Sequence, residues 1–190
     1  MANVVINGVL RESTGKKASK MVRSNEEVPV VMYGPKEVVH FTAKVSDFKN
    51  LIYTPEFKIA EINVGGKKYR AILKDKQFHP ISEALLHVDL LILTDGHPVK
   101  YEIPVKFVGS SPGVKVGGKF THKLRRIKVK SLPEKMVTEL TASISALELG
   151  QTLRVRDIEI TAGIEIMSQP ATPIASIEIP RALRGKQQQQ

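Results

Sequence analysis

The stretch "RESTGKKASKMVRSNEEVPVVMYG", residues 11–34, decides how the fold begins, because it joins a cationic helical pattern to an apolar strand. With an advance of about 100° per residue along a helix, Lys16, Lys20 and Arg23 fall on one face. The apolar side chains fall on the opposite face: Ala18, Met21 and Val22. The stretch therefore predicts an amphipathic helix with an almost purely positive polar side, followed by a strand that ends at Tyr33.

The net charge of the chain indicates what kind of partner this cationic face contacts. Taken alone, the window is equally typical of a solvated surface helix. The 190 residues carry a formal charge of +10, with 14 Lys and Arg against 10 Asp and Glu in residues 1–94, and 15 against 9 in residues 95–190. Such an excess favours a polyanionic partner: a nucleic acid, an anionic membrane or an acidic protein. Because both halves are basic, charge does not say which half binds.

Length and turn signals predict two domains and a tail. A chain of 190 residues with 42% apolar side chains can bury two cores. The turn formers "TDGHP" mark a boundary, which gives domains at residues 1–94 and 95–181. The end of the chain, residues 182–190, has too little apolar content to fold and is predicted to be disordered.

Both domains are predicted to be mainly β. The first shows strand patterns at "NVVINGVLR", "VPVVMYG" and "LLHVDLLIL", a hairpin around Gly65-Gly66, and a short helix at "SDFKNLIY" capped by Ser46. The second begins with "VKYEIPVKF", where Pro104 predicts an edge strand. Further strand patterns follow at "LRRIKVKSL", "TELTASI", "TLRVRDIEI" and "PIASIEI", so an antiparallel β-rich domain is expected.

Composition also excludes several classes of site and location. Without cysteine there is no disulfide, thiolate metal site or cysteine nucleophile. The first residues lack the layout of a signal peptide, and no apolar run approaches the ~18 residues that span a bilayer. The sequence predicts a soluble, cytoplasmic protein.

A search for catalytic or metal chemistry finds little. None of the five histidines has the i, i+4 spacing of a helical zinc site, and no G-x-S-x-G motif occurs. "VGGKK" and "VGGKF" lack the spacing of a phosphate loop and are interpreted as turns. His87 and Asp89 lie two apart on one strand face, where they can serve acid/base work or binding. We predict no catalytic residue, no metal and no cofactor.

The aromatic content bears on the kind of nucleic acid. Ten Phe and Tyr and no Trp argue against a sequence-tolerant single-strand binder, which needs stacking platforms. A structured RNA, bound through its shape, phosphates and a few base edges, fits better.

Several motifs resemble one family when taken in order. They are "R-E-x-x-G-K" (11–16), "A-S-K-x-V-R" (18–23), "V-P-V-V-M-Y-G" (28–34), "LKDKQFHP" (73–80) and "HVD" (87–89). Together they resemble the bacterial large-subunit ribosomal protein twenty-five family. The later "IPVKFVGSSPGVKVGGKF" and "LELGQTLRVRDI" are similar to the extension of its long form, the general stress protein CTC. The resemblance runs from about residue 3 to about residue 180.

The resemblance implies a six-stranded β-barrel-like N-terminal domain with short helices that binds 5S ribosomal RNA at loop E, and a separate β-rich C-terminal domain. It also implies a structural place in the central protuberance of the large subunit, and no catalysed reaction. A neighbouring ribosomal protein or a ribosomal RNA helix is the expected partner of the C-terminal domain; no membrane or small-molecule substrate is expected. The implied RNA contacts are Arg11, Lys16, Lys20, Arg23, Tyr33, Gln77, His87 and Asp89.

We expect Arg11 and the three helix cations to contact phosphates and sugars, and the other four residues to contact base edges or 2′-hydroxyls. Each of these four also has a structural interpretation: Tyr33 as a core ring, Gln77 as a turn residue, and His87 with Asp89 as a hydrogen-bonded pair.

The chain departs from the family where several members have Arg at the positions of Lys20 and Met21, and Gly at that of Glu26. Lys20 loses the bidentate fork of an Arg. Met21 is predicted to turn into the core.

Two other functions remain open from the sequence. A basic stress-associated adaptor acting partly off the ribosome is one, because the second domain has no assigned partner. An enzyme built around His87 and Asp89 is the other, and it lacks a partner nucleophile.

Overall fold

The chain divides into two compact units, Met1–Val99 and Lys100–Gln190. The computed structural model describes residues 3–160 and 163–180. The tail predicted to be disordered, residues 182–190, lies outside the described residues. No helix within the described ranges is long and apolar enough to cross a membrane.

The first unit is a closed barrel of six strands. Its elements are β1 (Asn3–Leu10), α1 (Lys16–Ser24), β2 (Glu27–Tyr33), β3 (Val38–Lys44), a 3₁₀ helix (Val45–Phe48), α2 (Lys49–Ile52), β4 (Ile59–Val64), β5 (Lys67–Phe78) and β6 (Leu85–Ile92). The strand order is β1-β3-β2-β6-β5-β4, and parallel pairing of β1 with β4 closes the barrel. The prediction of a mainly β chain with a six-stranded barrel is confirmed.

Alternation along the strands fills the barrel with apolar side chains. In β2, Val28, Val30 and Met32 are fully buried, whereas Val31 and Tyr33 are half-buried and face outward. The barrel wall thus has an apolar inner surface and an outer surface free to carry polar groups.

The hairpin between β4 and β5 forms at the predicted glycine pair. Gly65 and Gly66 have φ values of 58° and 75°. Two successive positive φ values are what a tight two-residue hairpin turn needs, and glycine adopts them without a Cβ clash. The Gly65-Gly66 prediction is confirmed.

The helical segment after β3 starts earlier than predicted. Lys44 occupies the N-cap position of the 3₁₀ helix, without a side-chain cap, and the Ser46 hydroxyl hydrogen-bonds to Asp47 Oδ1 at 3.1 Å. The predicted Ser46 cap is therefore wrong, because the chain passes from β3 straight into the helical turn.

The second unit contains two sheets. Its elements are β7 (Val99–Val108, of which Val99 is the last residue of the first unit), α3 (Pro112–Lys115), β8 (Lys119–His122), β9 (Arg126–Ser131), a 3₁₀ helix (Pro133–Lys135), β10 (Leu140–Ser143), β11 (Thr152–Arg154), a 3₁₀ helix (Val155–Asp157), β12 (Ile164–Ile166) and β13 (Pro173–Glu178). The sheets have the orders β10-β7-β9-β12 and β11-β13-β8. The ladders β12–β9, β11–β13 and β13–β8 are antiparallel, and β10 pairs with β7 in parallel.

Pro104 does not mark an edge strand, so that prediction is wrong. β7 lies between β10 and β9 in the four-stranded sheet. The ladder with β10 covers only Val105 to Val108. The missing N–H of Pro104 therefore interrupts no hydrogen bond of that ladder, and an inner strand can accommodate the proline.

Candidate nucleic-acid interface

Helix α1 packs against β2 along one narrow side, which we call the packing side. Ala18, Ser19 and Val22 are half-buried, and no residue of the helix is fully buried. Arg11, directly after β1, donates a hydrogen bond from Nη2 to the Ser19 hydroxyl at 3.2 Å. Ser19, which accepts this bond, lies on the packing side together with Ala18 and Val22.

Met21 lies outside this packing side, and the prediction that it turns into the core is wrong. It is 68% exposed. The helix is rotated from the expected orientation: Ser19, which accepts a hydrogen bond from Arg11, lies on the packing side, and Met21 lies outside it.

The three predicted helix cations are exposed, and one of them also contacts the barrel. Lys16, Lys20 and Arg23 do not belong to the half-buried packing side. Arg23 Nε donates to the carbonyl oxygen of Leu86 in β6 at 3.1 Å. This bond places the guanidinium group next to His87, the following residue of β6.

The four other predicted residues share the outer surface of three neighbouring strands. Tyr33 ends β2, which pairs in parallel with β6. His87 and Asp89 alternate along β6 with the buried Val88 between them. Gln77 of β5 lies opposite His87 in the antiparallel ladder. We call the outer side of β2, β6 and β5 around these residues the polar strand face.

His87 and Asp89 form the closest polar contact of this face. Nδ1 of His87 lies 2.7 Å from Oδ1 of Asp89, with the side chains 25% and 33% exposed. Since an ionised carboxylate only accepts, the imidazole donates from Nδ1, and Nε2 is left to contact a ligand. The two-residue spacing predicted their shared face.

A carboxylate that the sequence reasoning missed completes the polar strand face. Asp75 of β5 lies opposite Asp89 of β6. The pKa of the Tyr33 hydroxyl is raised by burial first, then by the charges of Asp89 and Asp75. The charges of both carboxylates therefore act on the Tyr33 hydroxyl. Asp75 stands in the quoted "LKDKQFHP", but only the strand register shows what it opposes.

Ion pairs are distributed unequally between the two units. Among residues 3–160 and 163–180, none of the ion pairs involves Arg11, Lys16, Lys20 or Arg23. In the second unit, by contrast, five cations pair with carboxylates at 2.7 to 3.6 Å: Lys106, Lys123, Lys128, Lys130 and Arg156. Carboxylates of the described chain thus leave the cations of α1 and Arg11 unneutralised.

The described residues hold no group of three or more His, Asp or Glu side chains arranged to bind a metal ion. His87 and Asp89 have no third such partner there. What the geometry supplies is a row of cations beside a face of hydrogen-bonding groups.

A barrel with a basic helix beside a polar strand face, joined to a second β-rich unit, is typical of a ribosomal RNA-binding protein. Residues 6–90 match the model of the Ribosomal L25p family, and residues 98–181 match that of the ribosomal protein TL5 C-terminal domain. The chain belongs to the ribosomal L25p family, in the form that carries the TL5-type C-terminal domain. The family is structural and non-enzymatic.

Curated relatives match over nearly their whole length. The chain is 40% identical to large ribosomal subunit protein bL25 of Amoebophilus asiaticus over 185 residues, covering 97% of this chain and 94% of the relative. The bL25 proteins of Bacteroides thetaiotaomicron and Cytophaga hutchinsonii are each 40% identical, over 175 and 187 residues. These two alignments cover 92% and 98% of this chain, and 89% and 97% of the relatives.

Proposed function

We propose that this ribosomal protein is built into the large subunit by binding 5S ribosomal RNA at loop E, as part of the central protuberance in the bacterial cytoplasm. Family membership supports the ribosomal role. The observation that carries the RNA-binding proposal is the hydrogen bond from Arg23 Nε to the Leu86 carbonyl at 3.1 Å. It joins the cationic helix to the polar strand face, so that phosphate-binding and base-contacting groups adjoin.

The two parts of this surface have different roles. Arg11, Lys16, Lys20 and Arg23 contact phosphates and sugars, which supply affinity and orientation. Tyr33, Gln77, His87 and Asp89 contact base edges or 2′-hydroxyls, which distinguish an irregular RNA loop from a regular duplex. The bond between His87 and Asp89 fixes the imidazole for this purpose before RNA arrives.

We also propose that the second unit, Lys100–Gln190, contacts a neighbouring ribosomal protein. The support is its surface charge, since Lys106, Lys123, Lys128 and Lys130 are held in ion pairs that reduce attraction to phosphates. Cations that are already paired with carboxylates gain less from contact with phosphates.

A salt-series titration of the full chain against 5S RNA, with a fully paired RNA of equal length as competitor, tests the RNA-binding function. At about 0.15 M salt we expect selective binding to 5S RNA, with a log–log salt slope of about −0.7 to −0.9 per phosphate contact. Unselective binding that disappears with salt would contradict the proposal and would favour the basic adaptor function instead.

A further inference from the structure

The loop that joins β7 to β8 in the second unit, residues 109–118, is fixed to the rest of that unit by hydrogen bonds. The Ser111 hydroxyl donates to the carbonyl oxygen of Leu147 at 2.5 Å and accepts from the backbone N–H of Val114 at 3.4 Å. The N–H of Gly113 donates to the same Leu147 carbonyl at 3.1 Å. Because Ser111 is only 1% exposed, water does not compete for its bonds. The loop is therefore held in one conformation.

Two buried glycines allow the loop to lie directly on its support. A Cβ at Gly113 would lie 2.7 Å from the carbonyl carbon of Glu148. A Cβ at Gly118 would lie 2.5 Å from Cγ2 of Ile177. A side chain at either position would force the loop away from this support, so the two glycines permit a closer contact than any other residue would.

This closely packed loop exposes apolar side chains to solvent. Val114 is 41% exposed, Val116 is 63% exposed, and Pro112 is exposed as well. With about 100° per residue, Lys115 falls on the side of α3 opposite the buried Gly113, and apolar residues flank it on both sides. We call this set of exposed residues the loop tip: Pro112, Val114, Lys115 and Val116.

The combination of exposure and rigidity favours a binding role for the loop tip. A single exposed valine is ordinary on a protein surface and needs no explanation. Here three of the four residues of the tip are apolar, and the backbone that carries them is already fixed by the bonds of Ser111. Valine also has few rotamers to lose. Little conformational entropy therefore remains to oppose binding, which is the advantage of a preorganised surface.

The charge of the loop tip indicates what kind of partner it fits. Within residues 3–160 and 163–180, Lys115 forms no ion pair with a carboxylate. A cation between apolar side chains is complementary to a carboxylate that is itself surrounded by apolar side chains, as a protein surface can provide. The phosphates of an RNA would match Lys115 but would offer Val114 and Val116 no apolar contact.

We propose that the loop tip is the surface through which the second unit docks on a neighbouring ribosomal protein, at an apolar patch that presents a carboxylate to Lys115. The inference rests on the contact with a ribosomal protein proposed above for the second unit, and it names the residues that make this contact. Lys115 selects the partner by its charge, and the two valines supply the apolar area buried on docking.

Site-specific photocross-linking shows what the loop tip contacts. The full-length protein, with p-benzoylphenylalanine in place of Val116, is bound to large ribosomal subunits that lack this protein. The comparison carries the same probe in place of Ile160, another exposed apolar residue of the second unit. We expect the probe at Val116 to cross-link to one ribosomal protein, in a product that withstands RNase and is degraded by protease. Adding Lys115→Glu should reduce this product about tenfold.

Binding of full-length variants to the same subunits measures the contribution of each side chain. Lys115→Glu and the double variant Val114→Ser/Val116→Ser should each bind about tenfold more weakly than wild type. Their Tm should be unchanged, because the side chains are exposed. Lys115→Arg should bind like wild type. The matched controls Arg125→Glu and Ile160→Ser, at other exposed positions of the second unit, should also bind like wild type.

Four results would overturn the inference. One is a probe at Val116 that cross-links to RNA alone, and another is Lys115→Glu binding as tightly as wild type. A third is weaker binding of Lys115→Glu with a lowered Tm, which would make Lys115 structural. The fourth is a protein cross-link from Ile160 and none from Val116, which would leave the proposed contact of the second unit standing. If neither probe reached a protein, that proposed contact would fail as well, and so the two failures are distinguishable.

Discussion

Arg23 and Leu86, 63 residues apart in the chain, are joined by a hydrogen bond of 3.1 Å from the guanidinium Nε to the backbone carbonyl oxygen. Within the described ranges this is the bond that the Arg23 side chain makes, and it uses neither of its terminal nitrogens. The bond orients the guanidinium group beside His87, and the two Nη atoms can then bind a phosphate as a fork.

Replacing Arg23 tests the phosphate role of the helix. We expect Arg23→Ala to weaken 5S RNA binding and to reduce the magnitude of the log–log salt slope by about 0.7 to 0.9, the value for one lost phosphate contact. Salt-series titrations measure this slope. The control is Lys128→Ala, which removes a cation that is paired with Glu102 in the second unit and should leave the slope unchanged. A lowered Tm with an unchanged slope would show that Arg23 is only structural.

His87 and Asp89 are expected to act as one unit in discrimination. We predict that His87→Ala and Asp89→Asn each cost roughly 1–3 kcal/mol of preference for 5S RNA over paired RNA, because each removes a base-edge contact or its orientation. The double variant should cost clearly less than the sum, since the 2.7 Å contact couples the two side chains. Competition titrations of all three variants measure this. Equal losses on both RNAs would rule out a base-contacting role.

Met21 offers a gain-of-function test. Because its side chain is 68% exposed on α1, Met21→Arg should fold normally and add one cation to the cationic face. We expect tighter 5S RNA binding, a salt slope steeper by about 0.7 to 0.9, and a change in stability within about 0.5 kcal/mol. Thermal denaturation and the salt series measure both. A clear loss of stability would contradict the exposed placement.

The Tyr33 hydroxyl reports on the charge of the polar strand face. Burial and then the carboxylates of Asp89 and Asp75 raise its pKa. Asp89→Asn should lower this pKa, because the phenolate would no longer be repelled by that charge, although burial would keep it above the ordinary value. The absorbance of tyrosinate during an alkaline titration, taken as the difference from Tyr33→Phe, measures it. An unchanged pKa would place Asp89 farther from the hydroxyl.

The raised pKa of the Tyr33 hydroxyl also makes the stability of the folded protein depend on pH. The folded protein holds the Tyr33 proton more tightly than the unfolded chain does, so this contribution to stability is complete below pH about 10. This contribution is lost as the pH rises from about 10 through the pKa that the Tyr33 hydroxyl has in the folded protein. Asp89→Asn should therefore make the alkaline loss of stability smaller.

Gly8 tests the packing of the barrel. A Cβ at this position would collide with the ring of Phe41, which is fully buried. We expect Gly8→Ala to lower the free energy of unfolding by roughly 1–3 kcal/mol through overpacking. Chemical denaturation measures it. Gly66→Ala is the matched control for positive φ alone, because a Cβ there meets no neighbouring atom.

Local rules determined much of this protein from its sequence. The glycine pair at 65 and 66 set a hairpin because only a residue without Cβ easily takes two successive positive φ values. The spacing of His87 and Asp89 put both on one strand face, because side chains alternate with a period of two. Helical periodicity likewise placed Lys16, Lys20 and Arg23 together.

The tertiary structure decided what depends on partners distant in the chain. Ser19, which accepts a hydrogen bond from Arg11, lies toward the barrel while Met21 is exposed, and β7 is an inner strand because β10 and β9 lie on its two sides. Asp75 opposes Asp89 because a bulge shifts the register of β5 by one residue. Periodicity along one segment contains no information on such register shifts or cross-chain hydrogen bonds, since both are set by the energy of pairing two segments.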